Sequence, residues 1–221
     1  MTDARIDQTE FVNFLRTIAS GNDSAALTAL HQNATLAQVH AEVGASRAAA
    51  TEYFIRDIQR YLYRGDTALH IASAAYRAAI VHALIVGGAG VDAANRLGAT
   101  ALHAAAAGSP DSIYWNPRAQ AEVINLLIDA GADPNAPDKR GVTPLHIAVR
   151  TRCASAVDAL LERGADIGRT NRSGSTPARL AVLTTGRGGS GSPAAREQQQ
   201  TIVAMLQARA ARVDESRAHG V

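Results

Sequence analysis

Histidines at matched positions are the first residues here with metal or proton chemistry to offer. His70, His103 and His146 each sit in one of three similar stretches, and an imidazole can ligate zinc or carry a proton. A shared zinc holds each nitrogen at about 2 Å, whereas packed helices lie about 8–10 Å apart. Three histidines one structural unit apart therefore cannot close on one ion. Each imidazole is expected instead to bond the threonine three residues before it and nearby backbone. His31, His40, His82 and His219 show no ligand spacing. Cys153 follows Arg150 and Arg152, whose charge favours a thiolate. A lone cysteine more often packs as a small hydrophobe, and no base is evident to complete a Cys/His pair. The chain is therefore read with no catalytic residue, no metal site and no cofactor.

Four segments open alike: Gly65-Asp-Thr-Ala-Leu-His-Ile-Ala72, Gly98-Ala-Thr-Ala-Leu-His-Ala-Ala105, Gly141-Val-Thr-Pro-Leu-His-Ile-Ala148 and Gly174-Ser-Thr-Pro-Ala-Arg-Leu-Ala181. Their starts lie 33, 43 and 33 residues apart, so the middle copy carries ten extra residues. Copies also close alike, at Gly88-Ala-Gly-Val-Asp-Ala93, Gly131-Ala-Asp-Pro-Asn-Ala136 and Gly164-Ala-Asp-Ile-Gly-Arg169. A period of this length marks a stacked repeat array. Thr67, Thr100 and Thr143 are placed to cap a first helix, with Pro144 and Pro177 at first helical positions. Second helices are expected over 78–86, 121–130 and 154–163, and Gly88, Gly131 and Gly164 then cap them.

These motifs resemble the ankyrin repeat family, strongly over about residues 65–173, moderately over 174–213 and weakly over 11–31. The resemblance implies an all-α ankyrin-repeat solenoid, helix–turn–helix units joined by short β-hairpin-like fingers, with a helical N-terminal cap. Residues 1–64 are assigned to that cap, comprising a degenerate helix pair (11–19 and 24–30) and a helical insertion over 34–64. Tyr53, Phe54, Ile58, Tyr61 and Leu62 are expected on one face of the insertion. Repeats follow at 65–97, 98–140 and 141–173, then a C-terminal capping repeat at 174–213 and a disordered tail at 214–221. With 47 alanines and nine Phe, Tyr or Trp residues among 221, the core must come from closely approaching helices.

Composition narrows the function. Lys and Arg total 22 against 20 Asp and Glu, a net charge of +2, and the arginines are scattered. Nucleic-acid binding, which needs a basic stripe, is not expected. No window approaches the roughly 18 apolar residues of a membrane span, so no membrane partner is expected. The acidic N-terminus lacks the apolar core of a secretory signal, and one cysteine fits a reducing, cytoplasmic setting.

The family mostly recognises folded proteins, so the resemblance implies a non-catalytic scaffold. Its partner would meet finger residues Asp66, Arg96, Leu97, Asp138, Lys139, Arg140, Arg172 and Ser173, a mixture of signs suited to a polar interface. The competing reading places a small anionic ligand, or an enzyme site, where two enlarged inter-helix loops meet. One loop is Gly108–Arg118, with Tyr114 and Trp115; the other is the Gly-rich stretch Thr184–Pro193. Tyr76, Tyr114, Trp115, Arg150, Arg152 and Arg187 would gather there, aromatic anchors beside arginines. Ser192 and Pro193 read as the start of the last helix.

Overall fold

Ten helices and one small hairpin make up the described residues of the computed structural model, which are 6–46, 49–183 and 191–218. The first pair, α1 (Gln8–Ala19) and α2 (Asp23–Gln32), turns on Gly21 and is capped by Asp7 and Asn22 side chains. Three further pairs follow the sequence period: α3 (Ala68–Ala74) with α4 (Ala78–Val86), α5 (Ala101–Ala106) with α6 (Pro117–Asp129), and α7 (Pro144–Arg150) with α8 (Ala154–Glu162). A last pair, α9 (Pro177–Val182) and α10 (Pro193–Ala218), closes the array.

First helices stack on first helices in the order α1, α3, α5, α7, α9, and second helices likewise from α2 to α10. Leu69, Leu102 and Leu145 have no exposed surface, and each meets the equivalent layer of its neighbours. The second helices answer with Ile80 and Leu84, Ile124 and Leu127, Val157 and Leu160, and then Ile202 and Leu206. Alanines at the contacts, such as Ala72, Ala105, Ala148 and Ala156, let the backbones approach. One unit alone would leave half of this surface in water, so the units are stable only as a stack.

Two expectations are corrected. Residues 34–64 are not a helix. They form 3₁₀ turns at Ala34–Ala37, Thr51–Tyr53 and Arg56–Ile58, and an antiparallel hairpin of β1 (Phe54–Ile55) and β2 (Arg60–Tyr61). The aromatic and β-branched residues alternate here rather than forming a helical stripe. Ile55 and Leu62 are buried, while the Phe54 and Tyr61 rings pair in partial exposure with centroids 5.0 Å apart. At the other end α10 runs on to Ala218, so helix replaces most of the loose tail expected from residue 214. Residues 219–221 lie outside the described set.

Candidate functional site

Each finger is built by one Asx side chain. Asn95 Oδ1 accepts from the backbone N–H of Leu97 and Ala99 at 2.9 and 3.2 Å. Asp138 Oδ1 does the same for Arg140 and Val142 (2.7 and 2.8 Å), and Asn171 Oδ1 for Ser173 and Ser175 (2.9 and 3.0 Å). Backbone bonds then join finger to finger: Arg96 N–H to Arg64 O, Lys139 N–H to Leu97 O, and Arg172 N–H to Arg140 O, at 2.8, 3.0 and 2.9 Å. Gly98 permits this approach, because a Cβ there would stand 2.8 Å from Lys139 N, and its φ is +80°.

The histidines complete the ladder. Nδ1 of His70, His103 and His146 accepts from the backbone N–H of Thr67, Thr100 and Thr143 at 3.1, 3.1 and 3.2 Å. This is a capping box with imidazole in the acceptor role. The proton is therefore on Nε2, which donates to Ala99, Val142 and Ser175 carbonyls in the next finger at 2.9, 3.0 and 3.0 Å. Burial pushes all three below the ordinary imidazole value, most directly by penalising the charged form. The role expected of them from sequence, bonding threonine and nearby backbone, is the one observed.

The finger side chains do not all face outward. Asp66, expected at a partner surface, is fully buried. Its carboxylate accepts from Arg60 Nη2 (3.0 Å), Asn95 Nδ2 (2.9 Å) and Tyr63 N–H (2.8 Å). Asp138 is held by its own turn, with its side chain 6% exposed. Arg96 is exposed, yet its Nη2 donates to Ala45 O at 2.7 Å and its guanidinium lies 5.2 Å from the Tyr63 ring centre. Leu97 is half-buried. Lys139, Arg140, Arg172 and Ser173 remain at the surface. The ion pair of Arg140 with Asp138 is long, 3.7 Å, and the arginine is 71% exposed, so it neutralises little.

On the opposite edge, at the inter-helix turns, Tyr76 and Trp115 come together, and neither Arg150 nor Arg152 lines the cleft beside them. Tyr76 OH donates to Ala107 O, and Trp115 Nε1 donates to Gln120 Oε1 at 2.8 Å. Gln120, fully buried, in turn donates to the Ala105 and Ala107 carbonyls at 2.9 and 3.2 Å. A Cβ on Gly108 would meet Cys153 Sγ at 2.7 Å, Trp115 Cδ1 at 2.9 Å and Tyr76 OH at 2.9 Å, so only glycine lets these groups close. Burial raises the Tyr76 phenol and the Cys153 thiol, which argues against a reactive thiolate. Tyr114, 58% exposed, stands beside a cleft of about 450 Å³ lined also by Tyr76 and Trp115. Arg150 is exposed and lies outside that lining. Arg152, with φ +60°, packs its guanidinium where Gly191 leaves room. Arg187 lies outside the described residues. The two enlarged loops do touch, through Ser192 Oγ donating to Asp111, and Ser192 caps α10 by accepting from Ala195 N–H at 3.0 Å.

Residues 64–96 and 97–139 each match the family model for the ankyrin repeat, and residues 127–181 match a model of ankyrin repeats in many copies. Together the matches cover 64–181, more than half of the chain. The chain belongs to the ankyrin repeat family. Ankyrin repeats generally mediate protein–protein interaction. No curated protein matches the chain. No helix among the described residues is long and apolar enough to cross a membrane.

Against the ankyrin pattern, what stands out is the first finger. The ends of the 33–66 segment stay in the ladder, Ala41 N–H donating to Asp66 O and Arg64 O accepting from Arg96 N–H. The stretch between them departs from it, and its hairpin packs beside Val12, Leu15 and Arg16 of α1. Arg60 then reaches α3 through Asp66 and, at 3.5 Å, the His70 carbonyl. The hairpin thus occupies the first-helix face at the N-terminal end of the array. Sequence reasoning did not single out Arg60 or Gln120, and it placed Arg77 at the loop edge without its partner, because these roles depend on distant residues. Arg77 pairs with Asp23, 54 residues away, at 2.7 Å.

Proposed function

We propose that this ankyrin chain is a non-catalytic scaffold that captures a folded protein partner through the fingers of its C-terminal half. One observation carries the reading. Of the finger residues expected to mix signs, both acids are taken up internally, Asp66 by Arg60 and Asn95, Asp138 by its own turn. What faces solvent is Lys139, Arg140 and Arg172, on adjoining fingers linked by the Arg172–Arg140 backbone bond. The partner surface is accordingly acidic, and charge complementarity of this kind acts mainly on association rate and specificity. At the N-terminal end the hairpin and the engaged Arg96 leave less of the first-helix face for a partner.

The triple variant Lys139→Glu, Arg140→Glu, Arg172→Glu tests this by cross-linked capture from lysate followed by mass spectrometry. Loss of the captured protein, with wild-type binding weakened by added salt, is the expected result. Undiminished capture by the triple variant rejects the finger surface.

A further inference from the structure

The cleft at the inter-helix edge has walls from both departures from the repeat period. One wall is the hairpin turn Asp57–Arg60, and the other is the ten-residue insertion, with Ser109, Ser112, Tyr114 and Trp115. Its floor is small, formed by Ala74, Ala75, Ala104, Ala107 and Gly108. At about 450 Å³ it has the size of a small-molecule site.

Its electrostatics choose the ligand. Helices α1, α3 and α5 all end here, at Ala19–Gly21, Ala74–Ala75 and Ala104–Ala107, and two of these ends are already bonded, Gly21 O by Arg77 Nη2 at 3.0 Å and Ala107 O by Tyr76 OH. The two guanidinium groups on the rim are already matched, Arg60 by Asp66 at 3.0 Å and Arg77 by Asp23 at 2.7 Å. Asp57 is exposed on the hairpin turn and has no hydrogen bond or ion pair within the described residues. With both arginines matched, an unmatched carboxylate and two aromatic side chains bordering one cleft favour a cation, which gains from both carboxylate and ring quadrupole.

We propose that this cleft binds a small organic cation, its ammonium group held between the Asp57 carboxylate and the rings of Tyr114 and Trp115. The site is on the opposite edge of the first-helix face from the fingers and is independent of the partner surface. It also replaces the arginine-held anion expected from sequence with the opposite charge.

Trp115 is the only tryptophan, so intrinsic fluorescence of the full chain reads the cleft directly. Titration with benzyltrimethylammonium at constant ionic strength is expected to change the emission saturably, and benzoate is expected to leave it unchanged. Asp57→Asn should weaken the apparent affinity at least tenfold while melting as the wild type, because the side chain is exposed. Tyr114→Ala, which keeps the reporter, should weaken it several-fold and gives a reading independent of the Asp57 variant. A linear, unsaturating response to the cation overturns the proposal. So does an equal response to benzoate, or wild-type affinity in both variants.

Discussion

At the residue scale the buried histidines make the fold sensitive to acid. His70, His103 and His146 are neutral in the folded chain, and burial lowers each below the ordinary 6.5. Unfolding restores the ordinary value, so between the lowered value and 6.5 the unfolded chain binds more protons. Stability therefore rises with pH across that window and is fully present above it. Each histidine contributes a slope of at most about 1.4 kcal/mol per pH unit. Urea unfolding at pH 8, 7, 6 and 5 should show a level midpoint at the two higher values and a steep fall below 6.5. A midpoint independent of pH from 8 to 5 would show that the imidazoles titrate normally in the fold. Removing one ring also strips a neighbouring finger of a donor, since Nε2 of His103 reaches the Val142 carbonyl 39 residues on.

At the element scale the inserted hairpin is held by one charged clamp. Arg60 and Tyr63 on the insertion, with Asn95 from the next finger, all converge on the Asp66 carboxylate. Truncating the guanidinium leaves a buried carboxylate with neutral donors only, and losing one member of such a pair costs about 3–5 kcal/mol. Arg60→Ala is expected to lower the melting temperature and to open the 54–61 hairpin to protease before the repeats are cut. Cleavage at wild-type rate would mean that the apolar contacts of Ile55 and Leu62 hold the hairpin unaided.

At the scale of the whole molecule the stack unites weak units. Leu145 is fully buried in the third of the consensus repeats, with α5 on one side of its helix and α9 on the other. Leu145→Ala should cost about 2–5 kcal/mol. The loss is expected to spread to both neighbours, because each repeat is stabilised chiefly by its interfaces. Hydrogen exchange of α5 and α9 amides, measured alongside α7, checks this. Acceleration confined to α7 would mean that the repeats unfold separately.

Much of this architecture follows from residues close together in the chain. A threonine three places before a histidine, a proline at the first helical turn and a glycine after the second helix act within a few residues. Their period places the repeats, the starts of the first helices and the role of the imidazoles, whereas the second helix of the middle repeat begins at Pro117, four residues before the expected 121. Cap and insertion were less legible. In residues 34–64 no repeat motif constrains the reading, and aromatic spacing alone did not separate a hairpin from a helix. Finger charges were misjudged in part for a different reason. Asp66 and Arg140 both sit in finger segments, yet one carboxylate is buried by an asparagine 29 residues away while the other side chain stays in solvent. The cleft, its unmatched carboxylate and its paired arginines depend on contacts such as Arg77 with Asp23 and Ser192 with Asp111, 54 and 81 residues apart. Short-range geometry is written in residue order, so the repeat was determined by sequence alone. Burial and charge pairing depend on what packs alongside, and these only the tertiary structure decided.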